Sequence, residues 1–505
     1  MTAPIGSLER SAGTRGDGPF PLVFELSRPG RRAWSLPESG VDGPPLEELI
    51  PAEHRRAAAP GLPEVGELDL VRHYTRLSQR NWAIDVGPYP LGSCTMKYNP
   101  KVAEDAAALP GFAGLHPMAD EELVQGALEL LGELERALCA ATGMARLTFQ
   151  PAAGAQGELT GLLMMRAFHR AQGDVRTRVI IPDSAHGTNP ASVSLAGYQA
   201  QEVPSDARGL VDLGALRSVL DEQVAGLMLT NPNTLGLFET DIEEIAAAMH
   251  EVGALLYYDG ANFNSIVGVT RPGDMGFDIV HMNLHKTFAT PHGGGGPGSG
   301  PVAVSQRLER FLPAPVLEHD PDAGRWRWDH DRPDAIGRIH SFYGNFGINV
   351  RAYAYLRSLG PEGLRRVAEL AVLNANYLRT LVKDAFPTAY PGACMHEFVC
   401  TAKPLKKHGV KAMDVAKRLI DLGYHPPTVY FPLVVEEALM VEPTETESKE
   451  TIDGLAAALN QIAREAADDP DLVRSAPTTT PVRRPDEARA ARALKLRWTG
   501  GSAVG

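Results

Sequence analysis

The sequence predicts an α/β protein: a mostly parallel sheet in a large domain, followed by a smaller α+β C-terminal domain. Three observations lead there. Between about Gly143 and Ser305, short apolar runs alternate with stretches of helical period, the pattern of strands covered by helices on both faces of a parallel sheet. Beyond about Gly337 the period turns helical and then mixed. The 505 residues, 44% hydrophobic and 22% charged, match an ordinary globular chain and exclude a disordered, collagenous or disulfide-scaffold one.

Taken in order, residues 1–20 are small, polar and glycine-rich and read as a loose arm, with no charged-then-apolar leader. Residues 21–119 form an N-terminal segment. Its proline- and charge-rich stretch to about Pro63 reads as an extended arm that needs a surface to lie on. A helix is expected over Glu67 to Arg80, then a loop, LGSCTMKYNPK, from Leu91 to Lys101. Residues 120–336 form the large domain. Leu123, Ala127, Leu130, Leu131, Leu134 and Leu138 recur at helical spacing, so a helix is expected over Asp120 to Thr142, ended by Gly143. RVIIP from Arg178, AGLMLT from Ala225, ALLYYD from Ala254, DIVHMNL from Asp278 and PVAVS from Pro301 read as buried strands. Before the third of these, Ile242, Ile245, Met249 and Val252 make a helical stripe that a Thr240–Glu243 capping box should open. Residues 337–467 form the smaller domain, with one helix through Ala412, Val415, Ala416 and Leu419, closed by Gly423. A second runs through Ile452, Leu455, Leu459 and Ile462 behind Thr451 as N-cap. Residues 468–505, rich in proline, threonine and arginine, read as a tail.

Charge narrows the partners. With 49 Lys and Arg against 62 Asp and Glu, the net charge of −13 argues against nucleic acid and anionic membrane, and for small molecules or proteins. No 18-residue apolar run offers a membrane span. The four cysteines lack metal-type spacing, which points to reduced thiols in a cytoplasmic protein and to no bound metal.

Ligands of an open parallel sheet bind at the carboxyl ends of the strands. Five consecutive strand ends here carry small or chemically able residues: PAAGAQGE after RLTFQ, then His186, Asn231, Asp259, and the pair His285–Lys286. PAAGAQGE opens a helix, so it suits a phosphate held by free N–H groups and the helix dipole, or a tight turn alone; it lacks the Walker lysine. Asp259 ends an apolar strand, where a carboxylate wants a partner such as a protonated pyridine nitrogen, or caps a helix. Lys286, at the end of a buried strand, suits a Schiff-base nucleophile or a salt bridge. His186 could stack on a ring, transfer protons or be structural. The glycine run HGGGGPGSG fits close backbone approach or a flexible turn. Cys94 lies on the Leu91–Lys101 loop, where an inert thiol is favoured over a nucleophile. One ligand satisfies all five strand ends, a flat, phosphorylated pyridine aldehyde: pyridoxal 5'-phosphate needs a phosphate cradle, a ring stacker, a carboxylate at its nitrogen, a partner for its ring oxygen and a lysine.

Long segments of the chain carry a resemblance. PLGSCTMKYNPK, QPAAGAQGELTG, IPDSAHGTNPAS, TNPNTLGLFE, DGANFN, RPGDMGFDIVHMNLHKTFATPHGGGGPG, SFYGNFG, CMHEF, HPPTVYFPL and VEPTETESKE resemble the glycine cleavage system P-protein family, glycine dehydrogenase (decarboxylating), in the second subunit of its split form. The likeness runs from about Leu22 to Trp498, with Gln156 standing where many members carry histidine. It implies a fold-type I, aspartate aminotransferase-like transferase fold and pyridoxal phosphate as cofactor. By that resemblance Lys286 holds the cofactor as a Schiff base, His186 stacks on its ring, Asp259 faces the pyridine nitrogen, and Gly154 and Ala155 border the phosphate beside Gln156. Asn231, Ala261 and His285 complete the implied cofactor set. The family further implies glycine as substrate, CO2 release, a lipoyl-bearing H-protein as aminomethyl acceptor, and a first subunit in an α2β2 assembly. The Ser93 to Asn99 loop is expected to shape a small substrate pocket. The other enzyme readings are an aminotransferase, which wants an arginine for a second carboxylate, and a desulfurase, which needs Cys94 as persulfide carrier. A non-catalytic half that only completes a partner's site is the third alternative.

Overall fold

The computed structural model describes residues 21–38, 40–58, 60–292 and 298–497. The expected arm over 1–20, the centre of the glycine run and the end of the tail lie outside them. Contacts divide the chain into two units, one of residues 84–476 and one of 1–83 with 477–505.

In the larger unit a seven-stranded sheet is built from β1 (Arg146–Thr148), β2 (Arg178–Pro182), β3 (Gln199–Val203), β4 (Val224–Thr230), β5 (Leu255–Gly260), β6 (Ile279–Met282) and β7 (Val302–Val304). Its order is β1-β7-β6-β5-β4-β2-β3, parallel except for β7, which runs antiparallel to β6 and β1. Because side chains alternate along a strand, neighbouring apolar residues serve opposite faces. Leu227, Leu256, Tyr258 and Val280 fill one core, while Met228, Leu255, Tyr257 and Ile279 fill the other. All of β4 and β5 is buried, which is why they read as unbroken apolar runs. The edge strand β3, QAQEV, buries only Val203 and carries no such signal. A hairpin, β8 (Val316–Asp320) with β9 (Arg325–Asp329), follows the sheet.

The helix Phe346–Val382 breaks at Gly360, whose φ of 62° no helix allows, with Pro361 after it. Its first half buries Ile348, Ala352 and Tyr355 in the large core, and its second half buries Ala375, Leu378 and Val382 in the smaller one. The smaller core gathers β10 (Phe398–Thr401) and β12 (Ala438–Val441), both antiparallel, with the helices Ala412–Asp421 and Lys449–Asp468. The short strand β11 (Thr428–Val429) pairs with β12.

Four local expectations need correction. The helix expected from Asp120 begins at Gln125, after a 3-10 turn over Glu121–Leu123, and Leu123 is exposed. The Thr240–Glu243 box does not form: Asp241 is the N-cap residue and its carboxylate is engaged by Arg208 at 2.6 Å. Ser448, not Thr451, caps the last long helix, its hydroxyl accepting from the Thr451 N–H at 3.2 Å. The segment after Asp468 is first a helix, Pro470–Ser475, whose Val473 joins the smaller core. Gly143 and Gly423 do end their helices, at φ of 75° and 85°.

The second unit holds the helix Glu67–Ser78, a few short turns and the tail helix Glu487–Arg492. Arg31 pairs with Asp69 at 2.8 Å and the Arg28 N–H donates to the Glu64 carbonyl at 2.8 Å. Trp34, Leu36, Val41, Leu62 and Leu496 stand exposed on it.

Candidate active site

The carboxyl ends of β2, β4, β5 and β6 converge because parallel strands end on one edge. Asp259 occupies the penultimate position of β5 with 2% exposure. Its Oδ1 accepts from the Ala261 N–H at 3.0 Å and lies 3.2 Å from His281 Nε2; its Oδ2 accepts from the Asn189 amide at 3.0 Å. Burial alone would raise its pKa. The His281 ring, the Asn189 bond and the Lys286 amine outweigh burial and hold the carboxyl well below the usual range. His281 lies on the neighbouring strand β6, in register with Asp259, and its Nδ1 is 3.0 Å from the Tyr257 hydroxyl, which donates to the Gly157 carbonyl at 3.1 Å. A polar side chain inside the apolar run DIVHMNL is the sequence signal that could have found His281.

Lys286 sits in the one-turn helix Leu284–Thr287 that follows β6. Its amine acts electrostatically on Asp259, His285, His292, Cys94, Glu397 and Glu442. Burial pushes His285 down to about 3 and His292 down to about 4, so both rings are neutral donor–acceptor groups near neutral pH. Burial pushes the Cys94 thiol up, with Glu442 and Glu397 adding to the shift against Lys286. That is the environment of an inert thiol rather than a persulfide carrier.

The helix Gly154–Ala171 begins behind Ala153, which offers no side-chain cap. Its first turn leaves the N–H groups of Gly154, Ala155 and Gln156 outside the intrahelical ladder. A Cβ on Gly154 would meet the Asn283 side chain, so only glycine keeps this approach open. Gln156 turns back to accept from the Ala152 N–H at 2.7 Å and donates to the Ile339 carbonyl at 3.4 Å, closing the loop from within. His186 is exposed, its Nδ1 2.8 Å from the Thr188 hydroxyl, which donates to Glu158 at 2.8 Å. Asn231 is fully buried: Oδ1 accepts from the Glu239 N–H at 2.9 Å and Nδ2 has no partner.

The unpartnered atoms tell what kind of ligand these loops suit. Asn231 Nδ2, Asn262 Oδ1, Asn264 Oδ1, Asn283 Oδ1, His292 Nε2 and both ring nitrogens of His396 are buried without a hydrogen bond. Folded chains leave few such groups, and these belong to the strand-end loops or to residues acted on by Lys286. A polar ligand with a carboxylate-seeking nitrogen, an anion and a carbon open to an amine fits what Asp259, the Gly154 turn and Lys286 present.

A family profile described as "Glycine cleavage system P-protein" matches residues 46–324, and one described as "Glycine dehydrogenase, C-terminal domain" matches 367–477. The chain is 58% identical over 479 residues to a probable glycine dehydrogenase (decarboxylating) subunit 2 of Caldanaerobacter subterraneus, covering 95% of this chain and 98% of that one. It is 60% identical over 478 residues to the protein of the same description from Halalkalibacterium halodurans, covering 94% and 98%. Among solved structures, an inhibitor-bound glycine decarboxylase (P-protein) of the glycine cleavage system superposes with a TM-score of 0.71 at 24% identity, over 83% of this chain and 94% of that one. A cysteine desulfurase from Thermococcus onnurineus gives 0.58 at 14%, over 75% and 95%. At these identities the two structures show the shared fold, that of the fold-type I pyridoxal phosphate enzymes.

Proposed function

The chain belongs to the glycine cleavage system P-protein family, and from that premise we propose how its residues divide the work of the reaction. It is a glycine-decarboxylating enzyme: CO2 leaves glycine, and the remaining aminomethyl unit passes to the oxidised lipoyl arm of an H-protein. Pyridoxal phosphate, when bound, supplies an aldehyde carbon for covalent attachment and a ring that accepts electrons. Lys286 would hold that carbon through its amine. Asp259, kept ionised by His281 and Asn189, holds a proton on the ring nitrogen. The N–H groups opening the helix Gly154–Ala171 take the phosphate, with Ala155 and Gln156 in that first turn. His186 would cover the ring, Asn231, Ala261 and His285 would border it, and the Ser93–Asn99 loop would help to shape a small substrate pocket.

The observation that carries this reading is that Asp259 is buried at the end of β5, paired with His281 of β6, and is acted on by the amine of Lys286 in the turn that follows β6. Replacing Lys286 by alanine should abolish glycine-dependent CO2 exchange together with a visible absorbance that borohydride bleaches in the parent chain. Unchanged exchange would discard the assignment. The pushed-up Cys94 thiol speaks against a desulfurase.

A first subunit joins the chain in an α2β2 assembly, and Trp34, Leu36, Val41 and Leu62 are the apolar surface such a partner would cover. The enzyme works in the cytoplasm, in keeping with four free cysteines; among the described residues no helix is long and apolar enough to cross a membrane. The native mass of the chain co-expressed with a first subunit tests the assembly.

A further inference from the structure

Two buried acids are left without a role by the assignment above. Glu397 immediately precedes β10 and Glu442 immediately follows β12. Phe398 pairs with Val441, so the antiparallel register sets the two carboxylates beside each other. Neither is exposed at all. Glu397 Oε2 accepts from the Ser93 N–H at 2.6 Å and Glu442 Oε2 from the Thr95 N–H at 2.9 Å. The Asn262 and Asn264 amides donate to the other oxygens, each at 3.3 Å. Ser93 and Thr95 have φ of 64° and 49°, a left-handed backbone that non-glycine residues hold only when surrounding bonds enforce it. The acids thereby fix the Ser93–Thr95 segment of the loop before Lys97.

The third member is His396. It is fully buried, neither ring nitrogen makes a hydrogen bond, and Nε2 lies 3.7 Å from Glu397 Oε1. One nitrogen of His396 and one oxygen of each acid lie within 4.8 Å of one another. The groups acting on the pair are Lys286, which favours ionisation of both acids, Glu445, which opposes that of Glu442, and the Cys94 thiol. Burial prevails for both acids, joined at Glu397 by repulsion from Glu442. Burial pushes Glu442 up to about 7, and burial with the Glu442 charge holds Glu397 well above its ordinary range.

The reaction needs a group of this kind. Glycine arrives as a zwitterion, and its ammonium proton must leave before the nitrogen can act as a nucleophile. Later the C–C bond breaks and CO2 departs. The electron pair left on carbon forms the new C–S bond as the S–S bond opens, and the displaced sulfur leaves as a thiolate that takes up one proton. One proton is released and one is taken up, so the balance closes without any other reactant.

We propose that the Glu397–Glu442 pair, set side by side by the strand register, is the relay that accepts the ammonium proton of glycine and returns a proton to the sulfur of the opened lipoyl disulfide, with His396 positioning the substrate against them. This rests on the reading of the site as a glycine decarboxylase.

The test uses the holoenzyme with its first subunit and lipoylated H-protein, and the variants Glu442→Gln and Glu397→Gln. Each should retain the cofactor absorbance yet lower kcat by about 10²- to 10⁴-fold with little change in the KM for glycine, and lose the near-neutral limb of the pH–rate profile. Infrared difference spectra of the unaltered holoenzyme between about pH 5 and about pH 9 should show a protonated-carboxyl band persisting above the ordinary glutamate range. Full rate and an unchanged profile in both cofactor-bearing variants would overturn the relay and leave the decarboxylase reading standing. Infrared spectra with every carboxyl ionised by about pH 6 would overturn it even if the variants fail to fold. A stoichiometric divalent cation in the parent enzyme, lost with either acid, would overturn it as well. A parent enzyme that binds no cofactor would instead sink the functional reading itself.

Discussion

The Lys97 amine lies 2.6 Å from the Glu445 carboxylate, with the two side chains 1% and 6% exposed. It also donates to the Thr287 carbonyl at 2.8 Å and to the Tyr355 hydroxyl at 3.2 Å. One ammonium group therefore ties the Ser93–Asn99 loop to the residue after Lys286, to the helix Phe346–Val382 and to the loop after β12. A buried cation in an ion pair is held far more by what it joins than by net attraction, because desolvation offsets much of the Coulomb gain.

Lys97→Met should accordingly destabilise the chain by about 3–5 kcal/mol, since it strands the Glu445 charge in the interior. The double variant Lys97→Met, Glu445→Leu should recover most of that loss in urea unfolding yet remain slow in glycine turnover, because the Thr287 anchor is still missing. Equal stability of single and double variants would show that the pair is not coupled.

Asp259→Asn tests the charge proposed for the ring nitrogen without changing volume. The amide cannot hold the proton there and sets an N–H against His281 or Asn189. Loss of one charge-assisted hydrogen bond, worth about 1.5–3 kcal/mol, should weaken cofactor retention by about 10- to 100-fold. Equilibrium dialysis against free pyridoxal phosphate reads this directly, and retention equal to that of the parent chain would remove Asp259 from its assigned place.

Stability against pH should carry two opposed slopes from the same cluster. Glu442, raised from 4.5 to about 7, contributes stability that is fully present below 4.5 and is lost as pH rises through about 7. His396, pushed by burial and the Lys286 amine from 6.5 down to about 3, contributes stability present above 6.5 and lost as pH falls toward about 3. In urea titrations of the cofactor-free chain, Glu442→Gln should flatten the upper slope and His396→Asn the lower one. If both slopes survive both substitutions, the titrating groups lie elsewhere.

These relationships also show where sequence reasoning stops. β4 and β5 are buried on both faces and so announce themselves as apolar runs, and their ends can be read for Asn231 and Asp259. β3 lies at the sheet edge with one buried side chain, and the Thr240–Glu243 box loses to an Arg208–Asp241 pair 33 residues apart, a contest no local pattern contains. Lys286, Asp259 and the Gly154 turn are legible because each lies at a strand's carboxyl end or just beyond it. Lys97, His396, Glu397 and Glu442 are not, because strand register and distant loop contacts bring them together. The faint signals were charged or imidazole groups directly bordering apolar runs, as in MHEFVC and LMVEP.

Gly154 gives the last test. Alanine is the better helix former by about 0.5–1 kcal/mol, so on propensity alone Gly154→Ala should stabilise the helix Gly154–Ala171. Its Cβ, however, would meet the Asn283 side chain, and Asn283 precedes the turn that carries Lys286. The substitution must displace either Asn283 or the first turn whose N–H groups are to hold the phosphate. Gly126→Ala, at a helical position with nothing within 4 Å of the new Cβ, isolates the propensity effect. The expected result is that Gly126→Ala leaves cofactor affinity unchanged while Gly154→Ala weakens it by about 10- to 100-fold, the range of one or two lost hydrogen bonds to an anion. Equal affinity in both would mean that the phosphate is held elsewhere than at this helix start.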